Sequence, residues 1–285
     1  MPELPEVETM VRGLRPAMAG RRVAAVEVHD PKLLQGIDAP GLVEKASGAL
    51  IDGVDRRGKW VVFSLSADRG YIVIQPRMTG GFRLTAPARP DHVRLTFRME
   101  GPHEFVWFCD NRRLGKIAWY VDSDAAEAAF AKSQGPDALE IAAADLSARL
   151  KATSRPVKPA LMDQKLVAGI GNIYADVSLF RARVHPERKA SSLSASELSR
   201  IHEAVGLILH EAIASEGSSF DAGYRTVLGL EGGFLAHNAM YGRGGQPCPG
   251  CGGPVTKTKI VGLIGRPTHF CPICQPVGRR RGRRV

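Results

Sequence analysis

The stretch LMDQKLVAGIGNIYADVSLF, residues 161–180, decides how the chain is read. Apolar positions recur at helical spacing on both sides of Gly169-Ile170-Gly171. This predicts two amphipathic helices joined by a glycine turn, with Asn172 as N-cap ahead of Ile173, Val177 and Phe180. Glycines permit a tight turn and close approach of backbone to a ligand, and the N–H groups that open the second helix favour an anion such as phosphate. An ordinary helical hairpin with a glycine turn explains the same letters.

Upstream the period changes. The runs at 23–28, 59–65, 71–75, 92–99, 104–109 and 117–121 alternate or stay apolar between Gly, Pro and Asp, and predict six strands in a β-sandwich or barrel. From about residue 124 the pattern is helical: 125–133, 145–153, 158–169, 172–182 and 194–215, the last opened by the capping box SASE at 194–197. The expected domains are 1–134, a linker at 135–140, a helical domain at 141–236, a cysteine hairpin at 237–275 and a basic tail at 276–285.

Four of the five cysteines form one pattern, Cys248-x2-Cys251 and Cys271-x2-Cys274, with nineteen residues between the pairs. Two such turns joined by a hairpin supply the four soft ligands that tetrahedral zinc takes at about 2.3 Å. Two disulfides would suit an exported protein, but the first twenty residues lack a basic start followed by an apolar run. Cys109, within FVWFC, reads as a core residue.

Lys and Arg outnumber Asp and Glu by 39 to 29, a formal charge of +10 that points to a polyanionic partner. The final PVGRRRGRRV carries five arginines without hydrophobic period, the composition of a disordered, phosphate-seeking or solubilising tail. No run of about 18 apolar residues is present, so a cytoplasmic protein without a membrane span is expected.

The chain begins MPELPEVE. Pro and acidic residues suit the first turn of a helix whose apolar face is Val7, Met10, Val11, Leu14 and Met18. If Met1 is removed, Pro2 also becomes a terminal secondary amine, crowded by Glu3, Glu6 and Glu8.

PELPEVE, the GIGNIY turn and the two-knuckle cysteine pattern, in this order, closely resemble the formamidopyrimidine-DNA glycosylase family, the Fpg/Nei or helix-two-turn-helix glycosylases. The match covers about residues 1–275. The resemblance implies an α+β protein of two domains: an N-terminal β-sandwich with a leading helix, then a helix-two-turn-helix domain carrying a zinc-finger β-hairpin. It implies a monomeric base-excision-repair glycosylase and AP lyase acting on double-stranded damaged DNA, with one structural zinc and no organic cofactor. Pro2 would be the nucleophile, Glu3 the carboxylate beside it, and Lys59 and Arg266 phosphate-holding members of the catalytic set. Lys158, Asn172, Tyr241, His92, Arg112 and Arg113 would bind DNA. Met78, Arg112 and Leu114 would fill the void left by a flipped nucleotide, and Glu6 would either approach the extruded base or serve only the helix dipole.

PELPEVE matches the branch that excises 8-oxoguanine and formamidopyrimidines, whereas the endonuclease VIII branch more often opens PEGPE. Two features depart from the usual pattern: Leu114 stands where Phe is typical, and Gln75-Pro76-Arg77 precedes Met78. The alternatives are an endonuclease VIII-like oxidised-pyrimidine glycosylase and a catalytically silent damaged-DNA-binding homologue. A loop within 218–233 is expected to fold over the flipped base.

Overall fold

Residues 2–219, 223–237, 240–260 and 265–277 are described by the computed structural model. Met1, residues 220–222 of the expected base-covering loop and residues 278–285 of the tail lie outside them. The chain divides into two compact units, 1–133 with 212–235, and 134–211 with 236–285.

The first unit opens with helix α1 (Leu4–Met18), whose Val7, Met10, Val11, Leu14 and Met18 are all fully buried. There follow β1 (Val23–Val28), β2 (Leu34–Gln35), α2 (Ala39–Ala46), β3 (Ile51–Arg57), β4 (Trp60–Leu65), β5 (Gly70–Gln75), β6 (Gly81–Arg83), β7 (Val93–Met99), β8 (Phe105–Cys109), β9 (Lys116–Tyr120) and α3 (Ser123–Ser133). The strands form two sheets, β1-β7-β8-β6 and β2-β9-β5-β4-β3. Every pairing is antiparallel except the short β2–β9 pair.

Period-2 alternation makes this a sandwich. Along β4, Val61, Phe63 and Leu65 point into the core, where the Phe63 ring lies 5.8 Å from Phe82 and 5.6 Å from Phe97 of the other sheet. The opposite face of β4 carries Trp60 and Val62, which pack with Phe130 of α3. All six expected strands are present within a residue of their bounds. β3 was not expected because its sequence, IDGVDRR, buries only Ile51 and Val54 and contains a register shift between Ile51 and Gly53.

Residues 212–235, assigned by sequence to the helical domain, group with the sandwich unit. Val227 and Tyr224 are buried in its core, and the Leu84 amide donates to the Val227 carbonyl at 2.8 Å. Much of the expected base-covering segment is therefore anchored in this unit.

The second unit contains α4 (Ala143–Lys151), α5 (Val157–Leu161), α6 (Asn172–Arg181), most of α7 (Ala195–Ala214), and the antiparallel hairpin β10 (Thr256–Lys259) and β11 (Pro267–Phe270). The helix expected over 158–169 stops at Leu161. Asp163 Oδ1 accepts from the Lys165 amide at 3.0 Å, and the Gln164 amide group bonds the carbonyls of Met162 and Ile170 and the amide of Gly169. These side chains take over backbone groups that a continuing helix would have used. The expected linker is also stitched down, with Gly135 donating to Gln164 O and Ala138 to Ala168 O. At Ser194 the capping box forms as predicted, Ser194 N donating to Glu197 Oε2 and Glu197 N to Ser194 Oγ.

Removing the ring that joins the two sheets leaves a large internal void. Phe63→Ala is expected to lower the stability of the sandwich unit by roughly 3–5 kcal/mol, read from the urea midpoint of its transition.

Candidate functional site

The start of the chain is packed rather than frayed. Pro2 is buried, as are Glu3 and Glu6 at 2% and 1% exposure. Glu6 Oε2 accepts the Glu3 amide at 2.8 Å and Oε1 accepts the Ser218 amide at 2.7 Å, so both oxygens hold backbone. Neither expectation for Glu6 included the anchor to residue 218.

Three contacts lay β3 antiparallel along α1. The Gly20 amide donates to Ile51 O at 2.7 Å, Arg15 Nε to Val54 O at 3.1 Å, and Arg56 Nε to Glu8 Oε2 at 3.0 Å. The fifteen residues of α1 rise about 22 Å, and the seven residues of β3 rise about 23 Å. The turn after β3 therefore arrives level with the start of α1. Lys59 occupies that turn, not the strand edge expected from sequence: Gly58 and Lys59 form a two-residue hairpin loop with Gly58 at φ 56, a conformation that favours glycine. Lys59 is buried there.

A second group of expected residues meets around a carboxylate that sequence reading overlooked. Asp110, fully buried, accepts from Thr79 Oγ1 at 2.5 Å and from the amides of Arg112, Leu114 and Gly115 at 3.2, 2.8 and 2.7 Å. Thr79 follows Met78, so one side chain ties together the two loops that carry Met78, Arg112 and Leu114. Arg112 is exposed, Leu114 is 45% exposed and Met78 is half-buried. The Asp110 amide donates to His92 O at 2.9 Å, bringing His92 beside the same loop. Arg113 is engaged by Asp30 through two hydrogen bonds of 2.5 and 2.9 Å, and this guanidinium holds the Asp30 carboxyl below the usual carboxylate range. The legible signal was DNRRLG, an Asp just ahead of a run of loop amides.

In the second unit Asn172 is the first residue of α6, and Gly171 is the N-cap. The Asn172 side chain instead donates to Pro267 O at 3.1 Å and Tyr241 Oη at 3.3 Å. Lys158 requires a correction, because it is fully buried and cannot reach a phosphate. Its ammonium lies 2.6 Å from Asp176 Oδ1 and donates to Pro267 O and Thr268 Oγ1 at 3.0 and 2.9 Å. Two of its donors are bonded within the fold, and Asp176 supplies the opposite charge. Asp176, not singled out from sequence, also accepts the His269 amide at 2.8 Å, and the His269 ring packs edge-on against Tyr241 at 5.0 Å. Arg266 is exposed and directly precedes β11, whose first carbonyl is the one that Asn172 and Lys158 hold.

The four expected metal ligands come together. Their sulfurs lie within 4.8 Å of one another, with Cys248–Cys274 at 3.8 Å and Cys251–Cys271 at 3.4 Å. Tetrahedral thiolates at about 2.3 Å from zinc would stand about 3.8 Å apart, so the set fits one zinc ion. Backbone amides of Gly250 and Cys274 point at Cys248 and Cys271 sulfurs at 3.4 Å each, the outer contacts that thiolates accept. All four positions are filled by thiols, which makes the site structural.

Two substitutions test these arrangements. Lys158→Met should destabilise the second unit by roughly 3–5 kcal/mol, read by chemical denaturation, because it leaves Asp176 charged and buried without its cation. Asp110→Asn replaces one accepting oxygen by a donor, so hydrogen exchange at the Leu114 and Gly115 amides should accelerate by the equivalent of about 1–3 kcal/mol.

Comparison with known proteins agrees with this geometry. The formamidopyrimidine-DNA glycosylase N-terminal domain matches residues 1–117, and the H2TH domain of the same enzymes matches residues 134–222. A formamidopyrimidine-DNA glycosylase of Thermus thermophilus is 42% identical over 98% of this chain and 100% of its own length. The crystal structure of the MutM (Fpg) protein from Thermus thermophilus superposes with a TM-score of 0.86 at 41% identity, covering 97% of this chain and 100% of that one. A Lactococcus lactis Fpg mutant in complex with Fapy-dG-containing DNA gives 0.87 at 32% identity, covering 96% and 100%. With a sandwich led by a buried Pro2, a glycine-turn helix pair and a four-cysteine hairpin in one chain, and matches along nearly its whole length, the chain belongs to the formamidopyrimidine-DNA glycosylase family.

Proposed function

We propose that this chain is a base-excision-repair DNA glycosylase and AP lyase that removes oxidised purines, 8-oxoguanine and formamidopyrimidines, from double-stranded DNA with Pro2 as nucleophile. The observation that carries the reading is the buried, anchored start of the chain, where Pro2 and Glu3 lie at the end of α1 that the Lys59 turn also reaches. The Lactococcus lactis relative on Fapy-dG-containing DNA supports the substrate class.

The chemistry explains why a terminal proline is used. Once Met1 is removed, Pro2 is a secondary α-amine, and α-amines titrate near 7.7–8.0 in simple peptides, so a fraction is neutral and nucleophilic near pH 7. Its lone pair attacks the deoxyribose C1′, the C1′–N bond breaks, and the base departs with its electron pair and takes up a proton. Ring opening leaves C1′ doubly bonded to the proline nitrogen. A secondary amine gives a cationic iminium there, which draws electrons from the C2′–H bond as that proton leaves. β-Elimination then expels the 3′ phosphate, and δ-elimination the 5′ phosphate. Glu3 handles protons at the sugar and offsets positive charge at C1′. Lys59 holds phosphate beside the target nucleotide.

The remaining residues grip the DNA backbone without reading sequence. Asn172, Tyr241 and Arg266 contact phosphate, with Asn172 and Lys158 both bonded to the carbonyl beside Arg266. Met78, Arg112 and Leu114 enter the gap left by the flipped nucleotide, with His92 and Arg113 at its margin. Zinc, when bound by Cys248, Cys251, Cys271 and Cys274, cross-links the knuckles that carry β10 and β11.

Borohydride trapping tests the reading on duplexes with 8-oxoguanine opposite C, thymine glycol opposite A, or an abasic site. An adduct through Pro2 on the 8-oxoguanine duplex, with yield rising with pH as the amine loses its proton, is the expected outcome. Preference for thymine glycol would favour the endonuclease VIII-like activity, which Leu114 in place of Phe keeps in view. No adduct on any duplex, with Met1 absent by mass and DNA still bound, would identify a silent binding protein. Cys271→Ser should abolish DNA binding while leaving the amine reactive towards a small aldehyde; retained DNA affinity would remove the assigned role of the zinc.

A further inference from the structure

We propose that Arg56 is a positioning residue for the reaction: held by Glu8 of α1, it fixes the Gly58–Lys59 turn at the N-terminal end of that helix. The inference rests on the functional reading above, which places Pro2, Glu3 and Lys59 in the chemistry.

Arg56 links Glu8 to the turn after β3. Its Nε donates to Glu8 Oε2 at 3.0 Å, and its Nη1 donates to the Gly58 carbonyl at 3.0 Å. The Arg56 side chain is 8% exposed and that of Glu8 18%, so the pair is not one of the solvated surface pairs that contribute little. The other Glu8 oxygen accepts Arg12 Nε at 2.9 Å. Burial alone would raise the Glu8 pKa, but hydrogen bonds and charge from Arg12 and Arg56 outweigh it and hold this carboxyl below its usual range. Glu8 is therefore an ionised anchor on a helix whose opposite face is locked in the core.

The Gly58 carbonyl matters because a peptide unit is planar. Its oxygen lies in one plane with the nitrogen and Cα of Lys59, so holding that oxygen sets the direction in which the Lys59 side chain leaves the backbone. A glycine at φ 56 gives the turn no stiffness of its own, and a two-residue hairpin can exchange turn types by flipping its central peptide. The guanidinium fork suppresses that flip. A lysine at position 56 could pair with Glu8 but would deliver its bonds from a single point, without the planar spacing that serves both acceptors.

The test uses the full chain with Arg56→Gln, Arg56→Lys and Glu8→Ala. Three quantities are read: the single-turnover rate of 8-oxoguanine excision at saturating enzyme, affinity for a duplex with a tetrahydrofuran abasic analogue, and melting temperature. Arg56→Gln and Glu8→Ala should each lower the saturated rate by roughly tenfold or more, with affinity within about threefold of wild type, because the loss lies in orientation of a reacting group. Arg56→Lys should recover the melting temperature but not the rate. Full recovery of rate by Arg56→Lys, or a loss confined to affinity, would overturn the proposal. If Arg56→Gln fails to fold, Arg56→Lys and Glu8→Ala decide the same question. A wild-type protein that neither traps nor excises would remove the functional reading itself; an active wild type with equally active variants would remove only the role of Arg56.

Discussion

The proposed nucleophile, the Pro2 nitrogen, needs a chain start that does not fray, and termini are ordinarily the least ordered part of a domain. The first unit meets this constraint by giving α1 an apolar face that is wholly buried and by bonding its opening turn on both sides. Glu6 is central to the arrangement. One of its oxygens closes the helix start, and the other holds the backbone where the chain returns at Ser218, so the end of α1 and the neck of the 218–233 segment are fixed by one carboxylate. Unmaking either bond would strand a buried donor, which costs more than a typical hydrogen bond contributes.

The same device recurs wherever a proposed functional side chain stands on irregular backbone. Asp110 gathers loop amides beneath Arg112 and Leu114, Arg56 holds the carbonyl before Lys59, and Gln164 secures the Gly169 turn. In the second unit Lys158 and Asn172 converge on the carbonyl of Pro267, next to Arg266. Asp110, Arg56, Gln164 and Lys158 each bond backbone groups of these irregular segments. They explain how loops can present groups with the small tolerance that catalysis and phosphate recognition demand.

Errors in the sequence reading share one cause. The family resemblance implied a phosphate contact for Lys158, but Asp176, eighteen positions away, holds it in the interior. Asn172 looked like an N-cap because Asn before an apolar helix usually is one, yet its side chain is drawn to a carbonyl ninety-five positions on. The helix expected over 158–169 failed because Asp163 and Gln164 compete for its backbone. In each case the deciding partner is distant in sequence or is a side chain acting on the main chain, and periodicity registers neither.

What the sequence determined by itself was everything carried by local period and spacing. The buried face of α1, the six strong strands and the capped start of α7 follow from residues a few positions apart, where covalent geometry already dictates which side chains share a face, and the four-thiol cluster from two Cys-x2-Cys pairs whose ligand chemistry requires them to meet. Tertiary structure alone decided that β3 lies antiparallel to α1, that the Lys59 turn therefore lies level with the start of α1, and that residues 212–235 return to the sandwich. Those outcomes depend on hydrogen bonds between groups tens to hundreds of residues apart, and such partners are selected only when the packed cores bring them within about 3 Å.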